Sequence, residues 1–407
     1  MCISEIYKGN QTAPKHRQTM WMSCSDLVVA FALTTASMAI ALLSDSIIVE
    51  TPFIVPFVPE GLRLTSYFTF TKGLSIVVLL ALPFFEIFGT KWGNTICFGM
   101  GIFFSVTLMC TWNIPLVIFG HPVSLYLFIN AFILLGLDNC RMTLTYMYVA
   151  ENFHPKFLLS VLIGDGLGGF IVSIMTYIQG FKQYLHAFES SVYSSSHLSK
   201  DFIFSPTIAF AIIIIVYVIC MLAFLLSLKY AKYVAISSSI TKNGNSGYFY
   251  IAVWGLASAS VFTLMPAFQS FSTVPYGQAC YILSVSCWSI SFPCSAIFCH
   301  VFKYYRYMFV AAVLLLHIGI DALLIFIALQ NPNPFLGKCL AIQAILIIMW
   351  FTQGFSGFYL FSISSYYLRT CGAKAMKWGS ITSHCGGVLG ALISFYLVNF
   401  TSLFQAH

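Results

Sequence analysis

The amino-acid sequence predicts an all-helical protein that crosses a membrane many times, and three features predict it. Charge is scarce: of 407 residues, 19 are Lys or Arg and 12 are Asp or Glu, whereas a soluble domain carries about a quarter charged residues. Apolar residues make up 59% and the mean hydropathy is +0.89. The apolar residues gather into runs of about 20, long enough for a helix to span hydrocarbon while satisfying its own backbone. The same composition excludes an ordinary soluble enzyme, and it excludes disorder, which needs low hydrophobicity and high charge. The net charge of +7 does not argue for nucleic acid. In a polytopic chain the placement of basic residues matters more than their sum.

Eleven runs qualify, covering about 26–48, 65–85, 95–118, 123–149, 158–179, 206–228, 248–270, 277–300, 307–329, 338–361 and 376–399. Residues 1–25 are polar, carry Lys8, Lys15 and Arg17, and lack the short apolar core and cleavage site of a secretory signal. They read as a cytoplasmic tail. With that orientation, thirteen basic residues, from Lys8 to Lys377, fall on the cytoplasmic side and only Arg63, Lys182, Lys200 and Lys338 on the other. An odd number of spans then leaves residues 400–407 outside. The stretch 229–247, with Asn243, Gly244, Asn245 and Gly247, divides the chain into an N-terminal bundle of six spans (26–228) and a C-terminal bundle of five (248–399). A linker between two bundles suits an alternating-access carrier. No inter-span segment reaches the roughly 40 residues below which a domain seldom folds unaided. The 13 cysteines are an odd count, sit mostly in apolar runs and lack zinc-site spacing. They read as small buried hydrophobes, and neither a metal nor a cofactor is expected.

Ionisable residues inside hydrocarbon cost at least about 2.5–3.5 kcal/mol each, so they are paired or functional. Asp45 lies near the outer end of the first span, with Glu50 just beyond. Lys72 stands seven residues into the second span, about 10 Å deep at the helical rise, and is expected to pair with Asp45. Asp138 and Arg141 are three apart in the fourth span and can neutralise each other, either as a packing pair or in a substrate or gating role. His317 and Asp321, four apart in the ninth, form either a structural hydrogen-bonded pair or a proton relay. In the fifth span, Gly164, Gly166, Gly168 and Gly169 surround Asp165. Glycines in a helix cost about 1 kcal/mol each relative to Ala; such a run permits close helix contact or a break that faces a cavity, with Asp165 lining it. Gly386, Gly387 and Gly390 read as a packing face. No nucleophile–base or paired-aspartate constellation appears, so an enzyme is not expected.

Short motifs then recur in order. Val49-Glu50-Thr51-Pro52, Val55-Pro56, Pro59-Glu60-Gly61 and Ser66-Tyr67 follow the first span. Asn139-Cys140 marks the fourth; His154-Pro155, Phe157-Leu158, the glycine run and Gln179-Gly180 mark the fifth. Pro275-Tyr276-Gly277 with Tyr281 opens the eighth, and Leu368-Arg369, Trp378, Gly386, Leu389-Gly390-Ala391-Leu392 and Leu397-Val398-Asn399 accompany the last. This series resembles the eukaryotic riboflavin transporter family, with its Trp-Val-Glu-Leu-Pro, Pro-Glu-Gly-Trp, Gly-Glu-Gly-Leu-Ser-Gly and Leu-Pro-Tyr-Gly segments.

The resemblance implies eleven spans in a six-plus-five arrangement similar to equilibrative nucleoside transporters, with the N-terminus inside. It implies a plasma-membrane carrier that takes up riboflavin by alternating access, sits in the lipid bilayer and has no nucleic-acid partner. Carried over by position, Asp45, Glu50, Asn139 and Asp165 make polar contacts to the substrate. Tyr67, Tyr276, Gln278 and Tyr281 shape the outer half of the site. The chain departs from the family's pattern at Asp45 (Asn), Ile48 (Trp), Gly73 and Ile76 (Gln and Asn), Asp165 (Glu) and Ile282 (His), and Lys72 stands at a usually apolar position. The alternatives are therefore a divergent carrier of another flavin- or nucleoside-like solute, and a non-transporting receptor with this fold.

Overall fold

A computed structural model describes residues 24–404 apart from 75, 119, 139–143, 146–147, 150–151, 154–156, 181–201, 231–246, 303–305, 332–336, 338 and 372. The first half begins with α1 (Cys24–Ile54), then two 3-10 turns, Val55–Phe57 and Gly61–Arg63, and α2 (Leu64–Gly73). There follow α3 (Ile76–Thr111), a hairpin of β1 (Pro115–Ile118) and β2 (His121–Ser124), and α4 (Leu125–Phe132), which passes into a π turn over Ile133–Asp138. Two long helices, α5 (Leu158–Gln179) and α6 (Pro206–Tyr230), end this half. The second half opens with α7 (Gly247–Ala259), a π turn over Ser260–Leu264, α8 (Met265–Thr273) and a 3-10 turn Val274–Tyr276. It closes with α9 (Gln278–Val301), α10 (Tyr307–Ala328), α11 (Leu340–Cys371) and α12 (Ala373–Phe400).

Among the described residues, nine helices are long and apolar enough to cross a membrane. The expected spans 158–179, 206–228, 277–300 and 307–329 agree with α5, α6, α9 and α10 to within a few residues. Two expected spans differ. The second is interrupted after Gly73 and resumes at Ile76 as the first part of α3; the non-helical backbone of Gly89 divides this part from Gly89–Thr111, between the expected spans 65–85 and 95–118. That residue has φ 72°, a conformation in which a side chain would clash, so glycine is what lets the chain turn there. The fourth begins later than expected because residues 115–124, read from their apolar character as span ends, pair as an antiparallel hairpin instead. Its remainder lies partly outside the described residues. Glu60 anchors the hairpin: its Oε1 accepts hydrogen bonds from the Ser124 backbone N–H (2.7 Å) and hydroxyl (3.1 Å). Ser124 in turn caps α4 by accepting from the Leu127 N–H at 3.1 Å.

Apolar side chains cover the outside of the molecule as well as its interior. Phe31, Ile215, Leu315, Ile348 and Tyr396 are exposed, as a lipid-facing surface requires. One large core joins α1, α3, α4, α5 and α6 and reaches Tyr281 and Val285 of α9. Two further cores join α7, α9, α10 and α11. Lipid tails are as apolar as Leu, so close packing rather than hydrophobicity holds such helices together, and small residues permit it. A Cβ on Gly164 would strike Ser37 and the Thr34 carbonyl of α1; one on Gly168 would strike the Met38 carbonyl. A Cβ on Gly166 would come within 2.7 Å of the Pro293 nitrogen on α9. The glycine run thus clamps α5 between two helices, and α5 runs unbroken through it. Gly386 and Gly390 of α12 likewise meet the carbonyls of Gly255 and Ala259 on α7. Cys97, Cys220, Cys280 and Cys299 are buried as expected of small hydrophobes, whereas Cys110, Cys339 and Cys385 are exposed on the apolar outer surface or at helix ends.

The two halves meet along two seams. Helix α9 lies against α5 and the end of α1, through Ala296 with Leu162, Pro293 with Gly166, and Ile282 with Phe53. Helix α2 lies against α12: a Cβ on Gly73 would overlap Ala391, Asn399 Nδ2 donates to Ser66 Oγ at 3.1 Å, and Phe70 stacks on Phe395 at 4.3 Å.

Candidate functional site

Two buried polar clusters stand out in this apolar molecule, one in each half. In the second half, α10 presents His317 and Asp321 one turn apart, His317 Nε2 lying 3.5 Å from Asp321 Oδ2. Two neighbouring elements aim polar side chains at them, and a third braces one of these side chains. Ser260, the first residue of the π turn after α7, donates to Asp321 Oδ2 at 2.5 Å and lies 3.0 Å from His317 Nε2. From α11, Gln353 Nε2 reaches Asp321 Oδ1 (3.0 Å) and Ser260 Oγ (3.2 Å), while Ser356 Oγ sits 2.9 Å from His317 Nδ1 and donates to the Gln353 carbonyl at 3.1 Å. From α9, Trp288 Nε1 donates to Gln353 Oε1 at 3.1 Å. The π turn matters because its extra residue re-aims one side chain without breaking the helix, a device frequent at functional sites. Every member has a partner, which is the condition for a buried polar network to be stable.

The network can hold one proton in two places. With an imidazolium and a carboxylate, His317 donates to Ser260 and Ser356 while Ser260 donates to Asp321. With both groups neutral, the Asp321 carboxyl donates to Ser260, whose hydroxyl then donates to His317 Nε2. The same heavy-atom geometry serves both, and Ser260 is the bridge between them. The sequence pattern put His317 and Asp321 together but missed Ser260, Gln353, Ser356 and Trp288, because uncharged side chains of these types are ordinary members of apolar spans and nothing in their spacing points to the pair.

The first half holds the opposite kind of cluster. Glu50, at the end of α1, is fully buried. Gln179 at the end of α5 sits beside its carboxyl, and Tyr126 and Asn130 of α4 complete the group. Both oxygens of Glu50 and both amide atoms of Asn130 and Gln179 have no hydrogen-bond partner among the described residues. The neighbouring hydroxyls are turned elsewhere: Thr51 Oγ1 and Tyr126 Oη both donate to the Ile47 carbonyl, at 2.8 and 3.3 Å. Glu50 was expected to contact substrate; Asn130 and Tyr126 were not expected at all, and Gln179 only as a motif letter.

The other expected residues are scattered around the seams. Asp45 lies half-buried where a Cβ on Gly169 would meet both it and Ser289 of α9. Asp165 is buried on α5 between the glycines that face α1 and α9. Lys72 reaches across to the second half, its Nζ 5.3 Å from the centre of the Phe262 ring in the π turn, a favourable cation–π placement. Gln278 Nε2 is 3.5 Å from the Pro52 carbonyl, bridging α9 to α1. Tyr276 and Tyr281 are buried near it, and the Tyr276 carbonyl accepts from Gln343 Nε2 at 2.7 Å. Tyr67 packs edge-on against Phe395 at 5.7 Å. Asn139 and Arg141 lie outside the described residues, as does the side chain of Asp138, and so does the expected pair between them. Among the described residues no His, Cys, Asp and Glu gather as a metal site would require.

Comparison with known proteins agrees with this architecture. The sequence model of solute carrier family 52, riboflavin transporter, matches residues 22–247 and 231–406. The chain is 25% identical over 419 residues to solute carrier family 52, riboflavin transporter, member 3-A of Danio rerio, covering 88% of this chain and 92% of that one. It is 22% identical over 431 residues to riboflavin transporter 2 of Salmo salar, covering 89% and 93%. Among solved structures, a mutant of the nucleoside transporter NupG superposes with a TM-score of 0.50 at 16% identity, covering 93% of this chain and 94% of that one. That likeness is one of fold.

Proposed function

The chain belongs to the solute carrier family 52 riboflavin transporters, and from that membership we propose that it carries riboflavin into the cell across the plasma membrane. The observation that carries the reading is the family match over nearly the whole chain, with relatives covered along nine-tenths of their length. Family and fold are those of transporters rather than enzymes.

The mechanism we put forward is alternating access between a six-span bundle (26–228) and a five-span bundle (248–399), with the N-terminus cytoplasmic and the C-terminus extracellular. Cores built mainly within each half, with two seams where the halves meet, support it. A flat ring with a polar edge needs apolar area and a few fixed hydrogen-bonding groups. Asp45, Glu50, Asn139 and Asp165 are our choice for those groups, and Tyr67, Tyr276, Gln278 and Tyr281 for the walls of the extracellular half. The His317–Ser260–Asp321 chain is our choice for a proton relay linked to transport.

Uptake of labelled riboflavin into cells expressing the chain, with excess unlabelled flavin as competitor, tests the reading. Saturable, competed uptake is expected; none, with the protein at the cell surface, refutes it. Because histidine titrates near neutrality, the relay predicts that uptake changes between about pH 5.5 and 7.5 and that Asp321→Asn flattens the profile. A wild-type profile that is already flat removes the relay and leaves the substrate assignment standing.

A further inference from the structure

The unpartnered cluster in the first half is the least expected feature of the molecule. A buried polar group without a hydrogen bond costs about 1–3 kcal/mol, and here three side chains at the junction of α1, α4 and α5 are left bare together. The three helices that carry the cluster, α1, α4 and α5, supply no Lys or Arg to neutralise Glu50. Such a cluster persists when something other than the chain completes it.

The orphaned atoms describe what that is. They are four oxygens that accept, two on Glu50 and one each on Asn130 and Gln179, and two amide nitrogens that donate. Exchanging N and O in either amide leaves this sum unchanged. A bare cation would satisfy the oxygens and leave both nitrogens bare. An anion would do the reverse and meet the charge of Glu50. Groups that both donate and accept fill both sets at once, and a hydroxyl donates one proton while accepting through its oxygen. A carboxylate flanked by two carboxamides therefore matches a row of hydroxyls.

We propose that Glu50, Asn130 and Gln179 form a polyol-binding subsite that holds the hydroxylated chain of the substrate. This deepens the riboflavin reading and rests on it: the ribityl arm would be gripped by the first half of the molecule, leaving the ring to the apolar and aromatic walls. A site built to hydrogen-bond hydroxyls rejects an analogue that lacks them, because its own buried groups are then left bare.

The test uses the full chain purified in detergent and the quenching of flavin fluorescence on binding, comparing riboflavin with lumiflavin, which keeps the ring and replaces the arm by a methyl group. The wild type is expected to prefer riboflavin by at least about tenfold. In Gln179→Leu and Asn130→Leu that preference shrinks toward one, because riboflavin weakens more than lumiflavin. Gln179→Leu removes an orphaned group and keeps the volume, so it remains informative if the second variant does not fold. A preference that survives in the variants overturns the subsite. So does a wild type without preference, the result expected if internal water alone fills the cluster. Binding of neither flavin sinks the riboflavin reading instead. The subsite then stands if millimolar ribitol raises the Tm of the wild type but not of Gln179→Leu, and falls if both respond alike or neither does.

Discussion

At the scale of single residues, the charges inside the spans are held by specific neighbours. Asp45 sits at the junction of α1, α5 and α9, and Lys72 lies over Phe262 in the other half. Their pairing remains our proposal. It predicts non-additive damage: Asp45→Asn and Lys72→Met each reduce uptake, while the double variant recovers part of the loss, with a coupling of about 0.5–3 kcal/mol. Uptake rates of the four proteins at equal surface expression check it, and additive losses would show the two charges to be independent. The residues that sequence reading missed share a cause. Asn130 and Gln353 are uncharged, and neutral amides raise little alarm in an apolar run. Yet in hydrocarbon an amide without a partner is costly, so its presence there is as informative as a charge.

At the scale of elements, hydropathy placed most helices well because the length of hydrocarbon to be crossed fixes the length of the run. What it could not place were the breaks. Leu74 interrupts an apolar stretch with no loss of apolar character, and the strands at 115–118 and 121–124 carry Leu, Val and Ile like the helices beside them, whereas Gly89 falls in the polar segment around Glu86, Lys91 and Asn94 that separates two expected spans. The glycine run shows where local composition did carry information: it offered close contact or a break, and packing against α1 and α9 selected the contact. Gly168→Val drives a side chain into the Met38 carbonyl and is expected to cost about 1–3 kcal/mol or more, seen as a lowered Tm of the purified protein. Gly319 of α10 has nothing within 4 Å of where its Cβ would be. Gly319→Ala should be neutral, or stabilising by about 0.5–1 kcal/mol, as expected for glycine in a helix. If the two variants melt alike, the clamp is not what holds α5.

For the molecule as a whole, the halves pack along the length of α5 and α9, and hydrogen bonds between them gather at the end that bears the C-terminus of α1. Ser66 bonds Asn399 at 3.1 Å, Ser270 the Leu62 carbonyl at 3.4 Å and Gln278 the Pro52 carbonyl at 3.5 Å, and aromatic rings of α2 and α12 pack beside the first of these. Such a closure is cheap to open, as a carrier that must open at both ends requires. Phe395→Ala removes the ring that touches Tyr67, Phe70 and Phe400. In a Ser66→Cys background it should speed modification at position 66 by a membrane-impermeant maleimide several-fold, read by mass spectrometry because the native cysteines also react. An unchanged rate would mean that this end is not closed by that ring.

The π turn at Ser260–Leu264 sets a numbering constraint on everything after it. It accommodates one more residue than a regular helix would over the same length, so the side chains of α8 are rotated by about 100° from the phase that α7 would dictate. Deleting any one residue of the turn would let the helix heal, and no backbone hydrogen bond would be lost. The healed helix would nevertheless turn Ser272 away from Trp350 Nε1, now 3.2 Å from it, and Phe268 away from Phe404, on which it stacks at 4.8 Å. A deletion there acts as a frameshift in space: the reading of the polypeptide is intact, and the face it presents is the wrong one.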